Sequence, residues 1–304
     1  MKAGIIGAGA LGSLFAAFFS KSGVDYSIYE IDRNTADAVK NGLTLISGDS
    51  SETFSPEIDT SPEILCNCDI IFFFVKSYST GEAAAAVQDY LKSDAIIVSL
   101  QNGIGNFETI AEHINEERIL YGITTIGASK DNASTVRFGG AGAIEFGGQS
   151  KEAIVRLSSM LHLAGIDFTV TETPATSVWQ KAIINAGVNP IAAILSITNG
   201  EILDNPYSMK LQEMIIREGT AAAQAAGIIL DTEDMIQRTV DVCRKTSSNR
   251  CSMLQDIANK RKTEIDYING RIIDILIKSG IAAPYNESVF SLVKALEAKT
   301  TSSL

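Results

Sequence analysis

Apolar runs and their spacing divide the chain into two unlike parts. In the first, short continuous apolar runs alternate with helix-forming segments. Lys2 to Ile6, Tyr26 to Glu30, Asp69 to Val75, Ala95 to Leu100 and Ile119 to Ile126 read as strands, and Ala10 to Lys21, Ile104 to Ile114 and Lys151 to Leu163 as helices. Strands that stay apolar without alternation are buried on both faces, as in a parallel sheet covered by helices. The glycine-rich Val136 to Gly148 reads as a hairpin rather than a further helical crossover, and Asp167 to Thr171 as a last strand. Beyond it the period changes. From Thr176 onward apolar residues recur every three or four positions, through Met209 to Ala226, Thr232 to Lys245 and Thr263 to Lys278, with breaks expected at Pro190, Pro206, Gly227 and Pro284. The pattern predicts an α/β fold. A mostly parallel sheet with helices on both faces occupies residues 1–171, and an all-helical domain residues 172–304.

The turn between the first strand and the first helix carries a chemical signal. Gly7-Ala8-Gly9-Ala10-Leu11-Gly12 is a Gly-x-Gly-x-x-Gly. Gly7 serves the tight turn, Gly9 lets the backbone approach a pyrophosphate, and Gly12 lets helix and strand pack closely, with the helix N-terminus facing the phosphates. The motif alone is weak, but the second strand ends in Glu30, 18 positions beyond Gly12, where a ribose hydroxyl contact is expected. A Rossmann-type dinucleotide domain is therefore expected. Lys2 followed by an uncharged stretch to Ser20 also suits a secretory signal or membrane anchor. Against that reading stand the glycine positions, the lack of a stop-transfer flank and the βαβ unit that continues from it.

A formal net charge of -11 and a pI near 4.8 argue against nucleic acid or an anionic membrane as partner. Any anionic ligand must be met by a few local cations. Cys66, Cys68, Cys243 and Cys251 have no zinc-type spacing, and with only His113 and His162 besides, no metal site is expected. The cysteines read as reduced thiols of a cytoplasmic protein, and Cys66-x-Cys68 lacks the two-residue spacer of a redox motif. The Ser/Thr-rich tip, Thr300 to Leu304, is expected to fray.

A nicotinamide domain supplies hydride but no proton, so an acid is sought in the helical half. In Trp179 through Pro190, Lys181, Asn185 and Asn189 fall at i, i+4 and i+8 and share one helix face. An ordinary solvated stripe is the plainer reading. Two asparagines, poor helix formers, in register with a lysine on an otherwise apolar helix point instead to ligand hydrogen bonding. A polar segment, Thr246 to Asp256, reads as a loop entering a capped helix. Glu264, within Lys260 to Gly270, has apolar and basic neighbours, and its plainer reading is a salt-bridged surface helix.

Taken together these residues resemble the ketopantoate reductases (2-dehydropantoate 2-reductases) over nearly the full length. The likeness rests on Gly7 to Gly12, Val75-Lys76, Gln101-Asn102-Gly103, Trp179 through Pro190 and Asn199-Gly200-Glu201. Most specifically it rests on Ser252-Met253-Leu254-Gln255-Asp256 with Thr263 to Gly270. The resemblance implies reduction of a 2-keto acid to (R)-pantoate, a step toward coenzyme A. Lys181 is then the general acid, with Glu264 orienting it and holding the substrate hydroxyl. Asn185, Asn189, Asn199, Asn249 and Ser252 hold the keto acid. Gly7, Ala8, Gly9, Ala10, Leu11, Gly12, Glu30, Arg33, Lys76 and Asn102 form the nucleotide site, with Asn102 at the nicotinamide end. Asn199-Gly200 also suits an ordinary turn, Asn249 a helix cap and Lys76 a loop lysine reaching solvent.

The chain departs from the family at one point. Where an arginine typically follows the second strand to meet the 2′-phosphate of NADPH, it reads Tyr29-Glu30-Ile31-Asp32-Arg33. Carboxylates there repel a phosphate and suit a free ribose diol. NADPH is expected from the family, and NADH from Glu30 and Asp32. Other readings are a paralogue acting on another branched 2-keto acid and, in a different class, a non-catalytic dinucleotide sensor. A histidine-based lactate-type enzyme is disfavoured, because His113 and His162 lie outside any motif. A homodimer is compatible with the sequence but not encoded in any motif.

Overall fold

The computed structural model describes residues 1–301; from residue 302 on, the tip expected to fray lies outside them. The chain forms two compact units, Met1–Gln101 with Asn106–Pro174, and Asn102–Gly105 with Ala175–Leu304.

In the first unit the strands and helices run β1 (Ala3–Ile6), α1 (Ala10–Ser22), β2 (Tyr26–Tyr29), α2 (Arg33–Lys40), β3 (Leu43–Ser47), β4 (Ser50–Phe54), β5 (Ile58–Asp59) and β6 (Ile70–Phe73). They continue through α3 (Thr80–Val87), β7 (Ile96–Ser99), α4 (Asn106–Ala111), β8 (Ile119–Thr124), β9 (Gly127–Asn132), β10 (Thr135–Gly140), β11 (Ile144–Gly147), α5 (Lys151–Leu163) and β12 (Phe168–Val170). The large sheet has the order β12-β11-β8-β7-β6-β1-β2-β5 and is parallel except where β11 meets β8. Its central strands are buried on both faces, as their unbroken apolar runs require. Ile5 and Phe72 enter one core with Phe15 and Phe19 of α1, while their neighbours Ile6 and Phe73 enter the opposite core with Ala84 and Val87 of α3.

A second sheet, β4-β3-β10-β9, was not expected from the sequence, and it corrects the reading of Val136 to Gly148 as one hairpin. The hairpin is β9 with β10, upstream, whereas β11 pairs antiparallel with β8 in the large sheet. Glycines make the crossover between sheets feasible. Gly140 has φ +132°, and a Cβ on Gly142 would lie 2.4 Å from the Thr125 carbonyl carbon. Phe138 of β10 meets Phe18 of α1 edge-on at 5.9 Å, so the small sheet packs on α1.

The second unit is helical: α6 (Pro174–Leu195), α7 (Pro206–Ala225), α8 (Thr232–Lys245), α9 (Ser252–Ala258), α10 (Asn269–Lys278) and α11 (Pro284–Thr301). Pro206 and Pro284 open helices and Gly227, at φ +81°, follows one, as expected. Pro190 does not break the chain but lies inside α6. Proline there deprives the Ala186 carbonyl of its helical donor, and Asn269 Nδ2 supplies another at 3.3 Å. Among the described residues no helix is long and apolar enough to cross a membrane.

Candidate active site

Three segments of the helical unit gather the polar side chains singled out above. On α6, Lys181 and Asn185 are half-buried and Asn189 is buried, which does not describe a solvated stripe. Burial pushes the Lys181 ammonium down to about 8, opposed by attraction to the Glu264 carboxylate. That attraction ties Lys181 to the segment before α10, where Glu264 is itself buried. Glu264 stands at the start of a single 3₁₀ turn, and its carbonyl accepts from the Tyr267 and Ile268 amides at 3.0 and 3.1 Å. It therefore belongs to a packed turn rather than to a surface helix.

The second segment is the turn after α6. The Asn199 amide donates to the Asn249 carbonyl and the Gly200 amide to the Ser247 carbonyl, both at 3.0 Å, while Asn199 Nδ2 donates to Thr246 Oγ1 at 2.9 Å. Asn199 is buried, yet its Oδ1 has no hydrogen-bond partner. A buried amide oxygen left unsatisfied costs stability, and the Oδ1 of Asn269 shares that state. Gly200 is required here, since a Cβ would lie 2.7 Å from that of Ser247. Asn249 and Ser252 are exposed; Asn249 does not cap α9, because Cys251 Sγ accepts from the Leu254 amide in that role.

The third segment, Asn102–Gly105, follows β7 in sequence but packs with the helical unit. The Ile104 amide donates to the Tyr267 carbonyl at 2.9 Å, and Arg271 Nε donates to the Ile104 carbonyl at 3.4 Å. Gly103, at φ +87°, leaves no room for a Cβ beside Tyr267. Asn102 is thus anchored to the segment that follows Glu264.

In the first unit the glycine turn has the geometry a pyrophosphate needs. Gly7 has φ +93°, a Cβ at Gly12 would stand 2.0 Å from the Gly7 carbonyl oxygen, and Gly9 has only one neighbour, at 3.7 Å. The Ala8 amide donates to Glu30 Oε2 at 2.7 Å and the Asp32 amide to Glu30 Oε1 at 2.9 Å, so this carboxylate is fixed at the end of β2. A cleft beside it is lined by Gly7, Glu30, Ile31, Val75, Ser79 and Glu82. Arg33 opens α2 and is exposed, and Lys76 precedes a short 3₁₀ turn at the end of β6.

Sequence profiles for known families match both units. Residues 3–151 fit the one described as ketopantoate reductase PanE/ApbA, and residues 175–297 its C-terminal counterpart. The chain belongs to the ketopantoate reductase family. The 2-dehydropantoate 2-reductase of Pyrococcus horikoshii is 36% identical over 300 residues, covering 98% of each chain. Among solved structures, a D-mandelate dehydrogenase with NADH and anilino(oxo)acetate superposes with a TM-score of 0.94 at 27% identity, covering 99% of this chain and 100% of that one. A PanE/ApbA family ketopantoate reductase from Ralstonia eutropha shares the fold, with a TM-score of 0.91 at 24% identity over 99% and 100% of the two chains.

Two features of the site escaped sequence reasoning. The unsatisfied Asn199 oxygen is visible only once the turn is packed against residues 246–249. A lysine from the small sheet, Lys130, donates to the Ala8 carbonyl at 2.7 Å, and nothing near Lys130 in the sequence signals that contact. The cysteines are all free thiols; burial pushes those of Cys68 and Cys251 up to about 11, so neither is a thiolate near neutral pH. Among the described residues no group of His, Cys, Asp and Glu could hold a metal ion.

Proposed function

We propose that the protein reduces 2-dehydropantoate to (R)-pantoate with a reduced nicotinamide dinucleotide. Unit one takes the nucleotide on the glycine turn, and the polar groups of the helical unit take the keto acid. When bound, the nicotinamide supplies the hydride that adds to C2 of the keto acid. Lys181, protonated below about pH 8, polarises the C2 carbonyl and gives its proton to the oxygen as the alcohol forms. Glu264 keeps the ammonium oriented and accepts from the substrate hydroxyl. Asn185, Asn189 and Asn199 hydrogen-bond the keto acid, with the orphaned Asn199 oxygen receiving a hydroxyl. Asn249 and Ser252, at the exposed entry to α9, complete its binding groups, and Asn102 meets the nicotinamide end of the nucleotide. The observation that carries the reading is the partly buried, Glu264-coupled Lys181 on a helix that also presents Asn185 and Asn189. A cytoplasmic location is part of the same reading and is supported by four free thiols.

The nucleotide is the finer question. Family likeness favours NADPH. The local chemistry favours NADH, because Glu30 is anchored where a ribose diol donates and Glu82 adds a second carboxylate to the adjoining cleft. A second substrate reading, reduction of a different branched or aromatic 2-keto acid, is supported by likeness to the D-mandelate dehydrogenase bound to NADH. Steady-state assays against a panel of 2-keto acids, each with NADH and NADPH, test these readings together. The expected result is turnover of 2-dehydropantoate with a higher kcat/KM for NADH, and a narrower preference in Glu30→Gln. Turnover confined to another keto acid selects the second reading. Oxidation of neither nucleotide with any keto acid favours a dinucleotide sensor.

A further inference from the structure

We propose that Lys130 is the cation that meets the nucleotide's pyrophosphate at the glycine turn. This rests on the reading that the turn takes a dinucleotide, and it assigns the charge that the turn itself lacks. Helix α1 begins Ala10-Leu11-Gly12-Ser13 and brings no basic side chain to its first turn. A carboxylate, that of Glu30, already accepts from the Ala8 amide, in a chain of net charge -11. Two phosphates docked there gain from a full positive charge beside the partial charges of the helix N-terminal amides.

The fold delivers that partner from far along the chain. On β9, Ala128 packs into the core shared with α1, and Lys130, two residues on, emerges from the same face. Opposite Lys130 on β10 stands Val136, which is fully buried, so the pairing also turns Lys130 toward the helix. A lysine on the inner face of a sheet runs its aliphatic stem along apolar neighbours and must end on a polar group. The group is the carbonyl of Ala8, the residue between the first two glycines, at 2.7 Å. Ser13 Oγ donates to the same oxygen at 3.0 Å. Residue Ala8 is thereby held at both ends, its amide by a carboxylate from β2 and its carbonyl by an ammonium from β9. The Ala8 carbonyl and the Gly9 N–H of the same trans peptide point to opposite sides, so the ammonium is held at the turn on the face away from the Gly9 amide and would swing from that oxygen to reach a phosphate.

The test is nucleotide binding by the full chain and by Lys130→Met and Lys130→Arg, with NADH, ADP-ribose and adenosine as probes. Lys130→Met is expected to weaken NADH and ADP-ribose by about ten- to hundredfold, the range of a lost charge-assisted contact. It should leave adenosine affinity within about threefold, a margin set by the scatter of single-residue effects. Lys130→Arg should recover most of the loss. Unchanged ADP-ribose affinity in a folded Lys130→Met overturns the proposal. Equal weakening of adenosine and ADP-ribose also overturns it, since Lys130 then only props the turn. If Lys130→Met does not fold, failure of Lys130→Arg to bind ADP-ribose better than Lys130→Gln does the same. A wild-type chain that binds no dinucleotide refutes the reading beneath the proposal rather than the role of Lys130.

Discussion

Lys181 sits where two opposed effects leave it useful. Burial lowers its pKa to about 8 and the Glu264 carboxylate resists the fall, so the ammonium remains charged at neutral pH but gives up its proton more readily than a surface lysine. The sign of the pH dependence follows. With Lys181 as the proposed acid, the reducing direction requires the ammonium, so kcat/KM should be flat below about pH 8 and fall above it. In the oxidising direction the neutral amine is required, and the rate should rise through the same pKa. Steady-state profiles run in both directions check this, and limbs of the same sign would rule Lys181 out as the titrating group. Lys181, Asn185 and Asn189 were legible because one helix brings them into register. Lys130 was not, because its partner Ala8 lies 122 residues away. Glu264 was singled out by its apolar and basic neighbours, but its role came only from the resemblance, since the turn that buries it has no periodicity of its own.

At the scale of elements, the sequence announced most of the large sheet and the helices, but not the small sheet. Strand β4 is mostly exposed, and β3 pairs in parallel with β10 from far along the chain, so neither offers the continuous apolar run that marked β6 or β7. Proline misled in the other direction. Pro190 is tolerated inside α6 because Asn269 Nδ2 replaces the donor that Ala186 lost. Asn269 is fully buried and also donates to Asn286, which donates to Glu218, so the substitution ties α6, α7, α10 and α11 together. Part of the Thr263 to Gly270 motif is therefore there for the helix rather than for the substrate. Asn269→Ala should cost about 1–3 kcal/mol by denaturant unfolding, the penalty of an orphaned buried carbonyl. In a Pro190→Ala background the loss should shrink, because residue 190 then donates to Ala186. Equal losses in both backgrounds would refute this account of Pro190.

For the whole molecule, each unit has its own core, and the chemistry is shared out accordingly. In the proposed function, nucleotide recognition lies in the sheet unit, at Gly7 to Gly12, Glu30 and Lys130. The proposed proton transfer and substrate contacts lie in the helical unit, at Lys181, Glu264 and Asn199. The loop Asn102–Gly105 is the exception that sequence order hides: it follows a strand of the first unit yet hydrogen-bonds to Tyr267 and Arg271 of the second. A strongly acidic surface leaves recognition of anions to these few cations. The central claim is that the reaction depends on one proton held at Lys181, separately from nucleotide binding. Stopped-flow oxidation of NADH by 2-dehydropantoate in wild type and Lys181→Met, with nucleotide affinity titrated in parallel, tests it most directly. The expected rate in Lys181→Met is lower by about two orders of magnitude or more with NADH affinity nearly unchanged; hydride transfer at the wild-type rate would rule out Lys181 as the proton donor.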